Sequence, residues 1–314
     1  MPGALAGRSA AQAQETAHPW FGRVAWGVLA YNILVVLWGA YVRATGSGDG
    51  CGNNWPLCQG VVVPRAPQAQ TIIEFTHRLT VFFSFVALLG VCVWAFRLFP
   101  RGHRSRYFSV LSLVFFFVEA LLGAGLVLLR YVAHDASAGR AVYLSAHLVN
   151  TQVLLAMLVF TAWFAGEPTR RTLKPAPRLI IAALPSALMV AVTGVLAALG
   201  DTLFPAASVA SGIRTDFAGS ADALLRLRAM HPLVAVAGGV CIIAGIVAAR
   251  RQPKPAAVRA GTVAGALLLL QMAAGVVNFL LLAPVWMQIL HLLIADLLWV
   301  VLVLMVLEVA PAVP

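Results

Sequence analysis

The chain has 314 residues, of which 61% are hydrophobic and 11% charged, with a formal net charge of +11 and a mean hydropathy of +0.90. A soluble domain carries about 25% charged residues, so this composition excludes an ordinary water-soluble globule and places the chain in lipid. The basic excess falls in short loops between apolar runs rather than along one stripe, which argues against a nucleic-acid partner.

Residues 1–20 are polar, rich in Ala and Gln, and lack an apolar signal core, so a disordered cytoplasmic tail is expected there. Eight segments then approach the roughly 20 apolar residues that a membrane helix needs. They are Phe21–Val42, Ile72–Phe99, Tyr107–Leu129, Ala141–Ala165, Arg178–Leu199, Leu225–Ala249, Ala260–Leu282 and Val285–Leu307. Without water in the hydrocarbon region, each must be a helix that satisfies its own backbone. The expected fold is an all-α integral membrane protein with eight transmembrane helices.

Loop charges orient it. The second-to-third loop region holds Arg97, Arg101, Arg104 and Arg106; the fourth-to-fifth holds Arg170, Arg171, Lys174 and Arg178; the sixth-to-seventh holds Arg250, Arg251, Lys254 and Arg259. Alternate loops carry Asp49, Asp135, Asp201, Asp216 and Asp222 instead. By the positive-inside rule both termini are cytoplasmic.

The first four segments resemble the last four. Phe117 to Gly125 parallels the stretch from Leu269, and Tyr143 to Asn150 parallels the stretch from Met287. His77 and His231, and likewise His147 and His291, occupy matching positions. Four helices per repeat is an even number, so both halves insert the same way round. The expectation is two pseudo-symmetric four-helix bundles, residues 21–165 and 178–309, joined by a cytoplasmic linker at 166–177.

His77, His147, His231 and His291 all stand near the outer start of an inward-running segment. A lone membrane histidine more often bonds a neighbouring helix. Two per half, on different helices, is the arrangement with which a bundle grips a haem from both faces. Zinc, which commonly combines histidine with a carboxylate, lacks a closely spaced second histidine on the same helix. His18, His103 and His134 fall in the tail or in loops and are expected to be structural.

Glu74 lies one helical turn before His77 and has no counterpart beside His231, where the chain reads Arg228-Ala-Met-His231-Pro232. Intramembrane carboxylates mark function by default; the bland alternative is a Glu that snorkels to the interface beside Arg78. Two similar pockets with one carboxylate suggest one reactive site and one electron-carrying site. Arg43, Arg78, Arg226 and Arg228 are candidate contacts for haem propionates or plain interfacial anchors. Glu119 and Asp296 fall inside helices, as proton-relay or packing residues. Cys51 and Cys58 frame a short outer loop where a disulfide or thiol exchange would fit, whereas Cys92 and Cys241 read as buried apolar packing.

Arg43-Ala-Thr-Gly-Ser-Gly48, the Cys51…Trp55-Pro56…Cys58 loop, Glu74-Phe-Thr-His77-Arg78-Leu79 and the later histidines together resemble the haem A synthase family, over nearly the whole chain. The resemblance implies an oxidoreductase of a prokaryotic-type cytoplasmic membrane, its haem sites toward the outer side. Such an enzyme oxidises the C8 methyl of haem O to a formyl group by successive hydroxylations, making haem A for terminal oxidases. It implies that His77 and His147 bracket the substrate haem O beside a catalytic Glu74, and that His231 and His291 hold a cofactor haem b. Expected partners are haem O synthase, an unidentified electron donor, membrane lipid and, as an open option, a second copy of the chain. An iron held by two histidines has no open position, so either one histidine moves away in turnover or the methyl is oxidised by electron removal and trapped by water. The main alternative is a di-haem b cytochrome that carries electrons without modifying haem; a transporter comes third.

Overall fold

The computed structural model describes residues 18–166, 172–173, 175–219, 221–310 and 312–313. The expected tail up to residue 17, and residues 167–171 and 174 of the expected linker, lie outside the described residues. Eight helices among the described residues are long and apolar enough to cross a membrane. They are α1 (Pro19–Ala44), α2 (Ala69–Leu98), α3 (Arg104–Leu128), α4 (Ala138–Gly166), α5 (Arg178–Leu203), α6 (Ala223–Arg250), α7 (Pro255–Leu280) and α8 (Val285–Val309). A break at Ala182 divides α5 into Arg178–Ile181 and Ala183–Leu203. A short helix, Val209–Asp216, follows it with a Ser208–Ser211 capping box. Thr172–Leu173 and Ala312–Val313 form a small antiparallel ladder.

Polar side chains cap three of the membrane helices, α3, α4 and α6. The Ser137 hydroxyl accepts from the Arg140 N–H at 3.2 Å to open α4, and the Asp222 carboxylate accepts from the Leu224 N–H at 2.8 Å to open α6. Proline opens α1 and α7, with Pro19 and Pro255 in the first turn. Proline suits that turn, where its missing N–H has no partner in any case.

The helix contacts fall into two sets. Helix α1 lies against α2 and α4, α2 against α3, and α3 against α4. Correspondingly, α5 lies against α6 and α8, α6 against α7, and α7 against α8. The two sets meet where α4 packs on α5 and where α8 packs on α1, contacts that interchange when the sets are exchanged. The main core joins Phe21, Leu155, Leu158 and Val159 to Trp299 and Val303 of α8; a second core holds Ile180, Ile242, Leu302 and Met305. Outward faces carry Leu34, Phe82, Leu121, Leu233 and Leu269, all exposed. Lipid is as apolar as the core, so such faces cost nothing in a bilayer.

A buried polar contact crosses between the sets. Gln152 Nε2 donates to Asp296 Oδ1 at 2.9 Å, and Trp299 Nε1 donates to the Gln152 carbonyl at 2.8 Å. Gln152 and Asp296 stand five residues after His147 and His291, so equivalent positions of the two repeats bond each other. Asp296 is fully buried and joins α8 to α4.

Candidate functional site

All four histidines expected as ligands line one cavity of about 1470 Å³, to which all eight helices contribute. His77 and His147 are close enough to interact electrostatically, as are His231 and His291. Each ring faces a glycine on the preceding helix. A Cβ at Gly39 would lie 3.0 Å from His77 Cε1, at Gly194 3.2 Å from His231 Cε1, at Gly275 3.2 Å from His291 Cε1, and at Gly123 3.6 Å from His147 Nε2. Glycine here removes the side chain that would take the space of the ring. These four glycines escaped the sequence reading as site residues. Their signal was available: Gly39 to Gly194 and Gly123 to Gly275 recur at nearly the spacing of His77 to His231.

The rings differ in their polar partners. Glu119 Oε1 lies 2.9 Å from His147 Nδ1, off the line of an aligned hydrogen bond. Glu119 also accepts from Asn150 Nδ2 at 2.6 Å and from the Thr151 hydroxyl. His231 Nδ1 is 3.0 Å from Thr193 Oγ1, and His291 Nε2 is 3.2 Å from Gln271 Nε2. The buried Nδ1 atoms of His77 and His291 have no hydrogen-bond partner in the structure.

Glu74 lines the same cavity and is only 3% exposed. It does not snorkel outward. Its Oε2 accepts from the Cys51 N–H at 2.8 Å, and its Oε1 pairs with Arg78. Arg78 Nη1 in turn donates to the carbonyls of Asn54 at 2.7 Å and Leu57 at 2.8 Å. A Cys51–Cys58 disulfide closes that loop. The Glu74–Arg78 pair therefore ties helix α2 to the loop over the cavity mouth, where Trp55, Val62 and Val63 also line the cavity.

The other arginines are placed unequally. Arg43 Nη1 donates to the Ala198 carbonyl and to Thr202 Oγ1, and its Nη2 to Gln288 Oε1, each at 2.9 Å, so it links α1 to α5 and α8. Arg228 lines the cavity and pairs with Asp201 and Asp216 while donating to the Phe204 carbonyl. Arg226 donates to the Gly219 carbonyl at 3.0 Å and is not among the cavity-lining residues. Two apolar-packing expectations divide: Cys92 is buried, but Cys241 is exposed. His103 is buried as the α3 cap, accepting from the Ser105 N–H at 3.1 Å and stacking on Phe99.

This donor set fits haem. A macrocycle supplies four nitrogens, so an iron asks the protein for one or two imidazoles, and the cavity offers two pairs of them against glycine-bared backbone. Zinc needs three or four converging side chains. Among the described residues no three His, Cys, Asp or Glu side chains group in that way.

A family model, COX15-CtaA, described as cytochrome oxidase assembly protein, matches residues 22–303. A Thermus thermophilus protein named protoheme IX farnesyltransferase is 46% identical over 283 residues, covering 89% of this chain and 46% of that protein. The chain therefore spans about half the length of that relative. Heme A synthase of Shouchella clausii is 40% identical over 95 residues, 30% of this chain and 32% of that protein. Heme A synthase of Halalkalibacterium halodurans is 35% identical over 130 residues, 41% of this chain and 42% of that protein.

Proposed function

We propose, from the premise that the chain belongs to the cytochrome oxidase assembly protein family, that it is a haem A synthase, an oxidoreductase converting the C8 methyl of haem O to a formyl group. The observation that carries this reading is an asymmetry. Two histidine pairs line one cavity, and the buried Glu74, one helical turn before His77, has no counterpart at the matching position before His231, where Arg228 stands. An electron carrier with two equivalent haems has no use for that difference.

In this reading the α1–α4 half takes the substrate between His77 and His147, and the α5–α8 half holds haem b between His231 and His291. The cofactor haem supplies one-electron transfer. The protein's own residues do the rest. Gly39, Gly123, Gly194 and Gly275 make room for the four imidazoles. Glu74, held by Arg78 and the Cys51 N–H, stands beside the reacting side to orient water or take up a proton. The disulfide-closed loop limits water at the mouth. Arg43 and Arg228 are offered as propionate neighbours, although their donors already serve protein groups. The chain sits in the cytoplasmic membrane with both termini inside and the histidines toward the outer face, as its loop arginines direct.

The farnesyl transfer named for the Thermus relative is a different reaction. Transfer from a diphosphate calls for clustered acids that hold magnesium, whereas the cavity presents paired imidazoles. The likeness supports the related proposal that the enzyme making the farnesylated haem works beside this one.

The test is conversion in a host that makes haem O but no haem A. Expression of the chain should yield haem A, detected by mass after pigment extraction. Haem O persisting unchanged beside well-expressed protein would sink the assignment.

A further inference from the structure

The surroundings of the histidines differ at one equivalent pair, Glu119 on α3 and Gln271 on α7, which share the repeat offset. Glu119 Oε1 lies 2.9 Å from His147 Nδ1. Gln271 meets His291 at Nε2 instead, leaving the His291 Nδ1 without a partner. Glu119 is gripped from the far side by Asn150 and Thr151, which belong to α4, the helix that carries His147. Swinging the carboxylate away would break both of those bonds. His77 is the opposite case. Its buried Nδ1, like that of His147, makes no aligned hydrogen bond, but among the described residues no carboxylate stands within ion-pair distance of it, and its ring rests against the bare backbone of Gly39.

We infer that Glu119 is a positioning residue that keeps His147 on the substrate iron, and that His77 is the ligand that yields. The inference rests on the α1–α4 site being the substrate site. A carboxylate at the outer nitrogen of an iron-bound imidazole fixes the ring's orientation and makes it a stronger donor. A ring without such a partner gives up nothing but the iron bond when it leaves. His77 and Glu74 share one face of α2, one turn apart, so the position that His77 leaves opens on the Glu74 side. That resolves the conflict between two axial histidines and a reaction that needs room for water or an oxidant.

The experiment uses the full chain purified with its haems. Glu119→Gln, an isosteric change to the residue of the other half, should shift one of the two midpoint potentials upward and leave the second in place. A shift confined to one midpoint is not what a purely structural role would produce. His77→Ala should keep most of its haem and bind carbon monoxide when reduced, whereas His147→Ala should lose the first-site haem by at least about tenfold. Both midpoints unmoved in Glu119→Gln, or equal haem loss in the two histidine variants, would overturn the positioning role while leaving the haem reading intact. Haem content unaffected by any histidine variant would remove the haem reading and this inference with it.

Discussion

Replacing Gly39 by alanine adds one methyl group where the structure has room for none. The new Cβ would lie 3.0 Å from His77 Cε1 and 3.2 Å from His77 Nε2, inside the roughly 3.5–4.0 Å of an unstrained carbon contact. Overpacking of this kind costs about 1–3 kcal/mol, while exchanging a mid-helix glycine for alanine returns about 0.5–1 kcal/mol. The net change in stability is about 0–2.5 kcal/mol by these figures, too small to unfold the bundle. The strain falls on the ring. If all of it is expressed in ligation, first-site haem binding weakens about 5- to 150-fold. The structure also orders the series. Gly194→Ala and Gly275→Ala meet their histidines at 3.2 Å and should follow Gly39→Ala, while Gly123→Ala, at 3.6 Å, makes an ordinary contact and should retain its haem. Gly27→Ala and Gly90→Ala have nothing within 4 Å and serve as controls. Haem-to-protein ratios from extracted pigment, with thermal unfolding in detergent alongside, give the readout. Full haem occupancy in Gly39→Ala, equal to the two controls, would refute the claim that the histidine–glycine contacts build the site.

Glu74→Gln should keep both haems bound and stop product formation, measured as haem O accumulating on purified protein; a normal haem A yield would remove Glu74 from the chemistry. Arg78→Ala strips a buried carboxylate of its partner, a change worth about 3–5 kcal/mol of destabilisation, and frees the 49–63 loop, which limited proteolysis will detect. Arg78→Lys should rescue only part of it, because an ammonium cannot span Glu74 and the loop carbonyls as a guanidinium does. Arg228→Ala removes the cation that pairs with both Asp201 and Asp216, and a cycle with Asp216→Asn should return a coupling of about 0.5–3 kcal/mol. Arg226→Ala, whose side-chain bond among the described residues is to an exposed loop carbonyl, should shift stability by no more than about 0.5 kcal/mol.

The spans were legible from the sequence because lipid enforces a single rule on apolar runs. The rotation of each helix was not. Amphipathic periodicity reports which face is buried only when the other face meets water, and here both faces are apolar. That is why Cys241 was expected in the interior and stands exposed. The same blindness left Glu119 without an assigned partner, although its contact with His147 is an ordinary neighbour-helix contact once the rotation is known. Pairings between distant segments, such as Gln152 with Asp296 or Arg43 with Gln288, carry no local signal at all. The helix at Val209–Asp216 is too short and too polar to register in a search for spans. Glu74 was flagged by its neighbour His77, but its burial depends on a loop whose fold is fixed by the Arg78 contacts rather than by periodicity.

The most direct measurement of the central claim is site-resolved pigment analysis. The chain and its His147→Ala and His291→Ala variants would be purified from cells that make haem O, and the extracted haems separated by chromatography with mass detection. The account expects haem b together with haem O, its hydroxylated form or haem A in the parent protein. His147→Ala should lose the farnesylated haem and keep haem b, and His291→Ala should do the reverse. Two equivalents of haem b in the parent protein, unchanged when haem O is plentiful, would contradict the account and leave an electron carrier in its place.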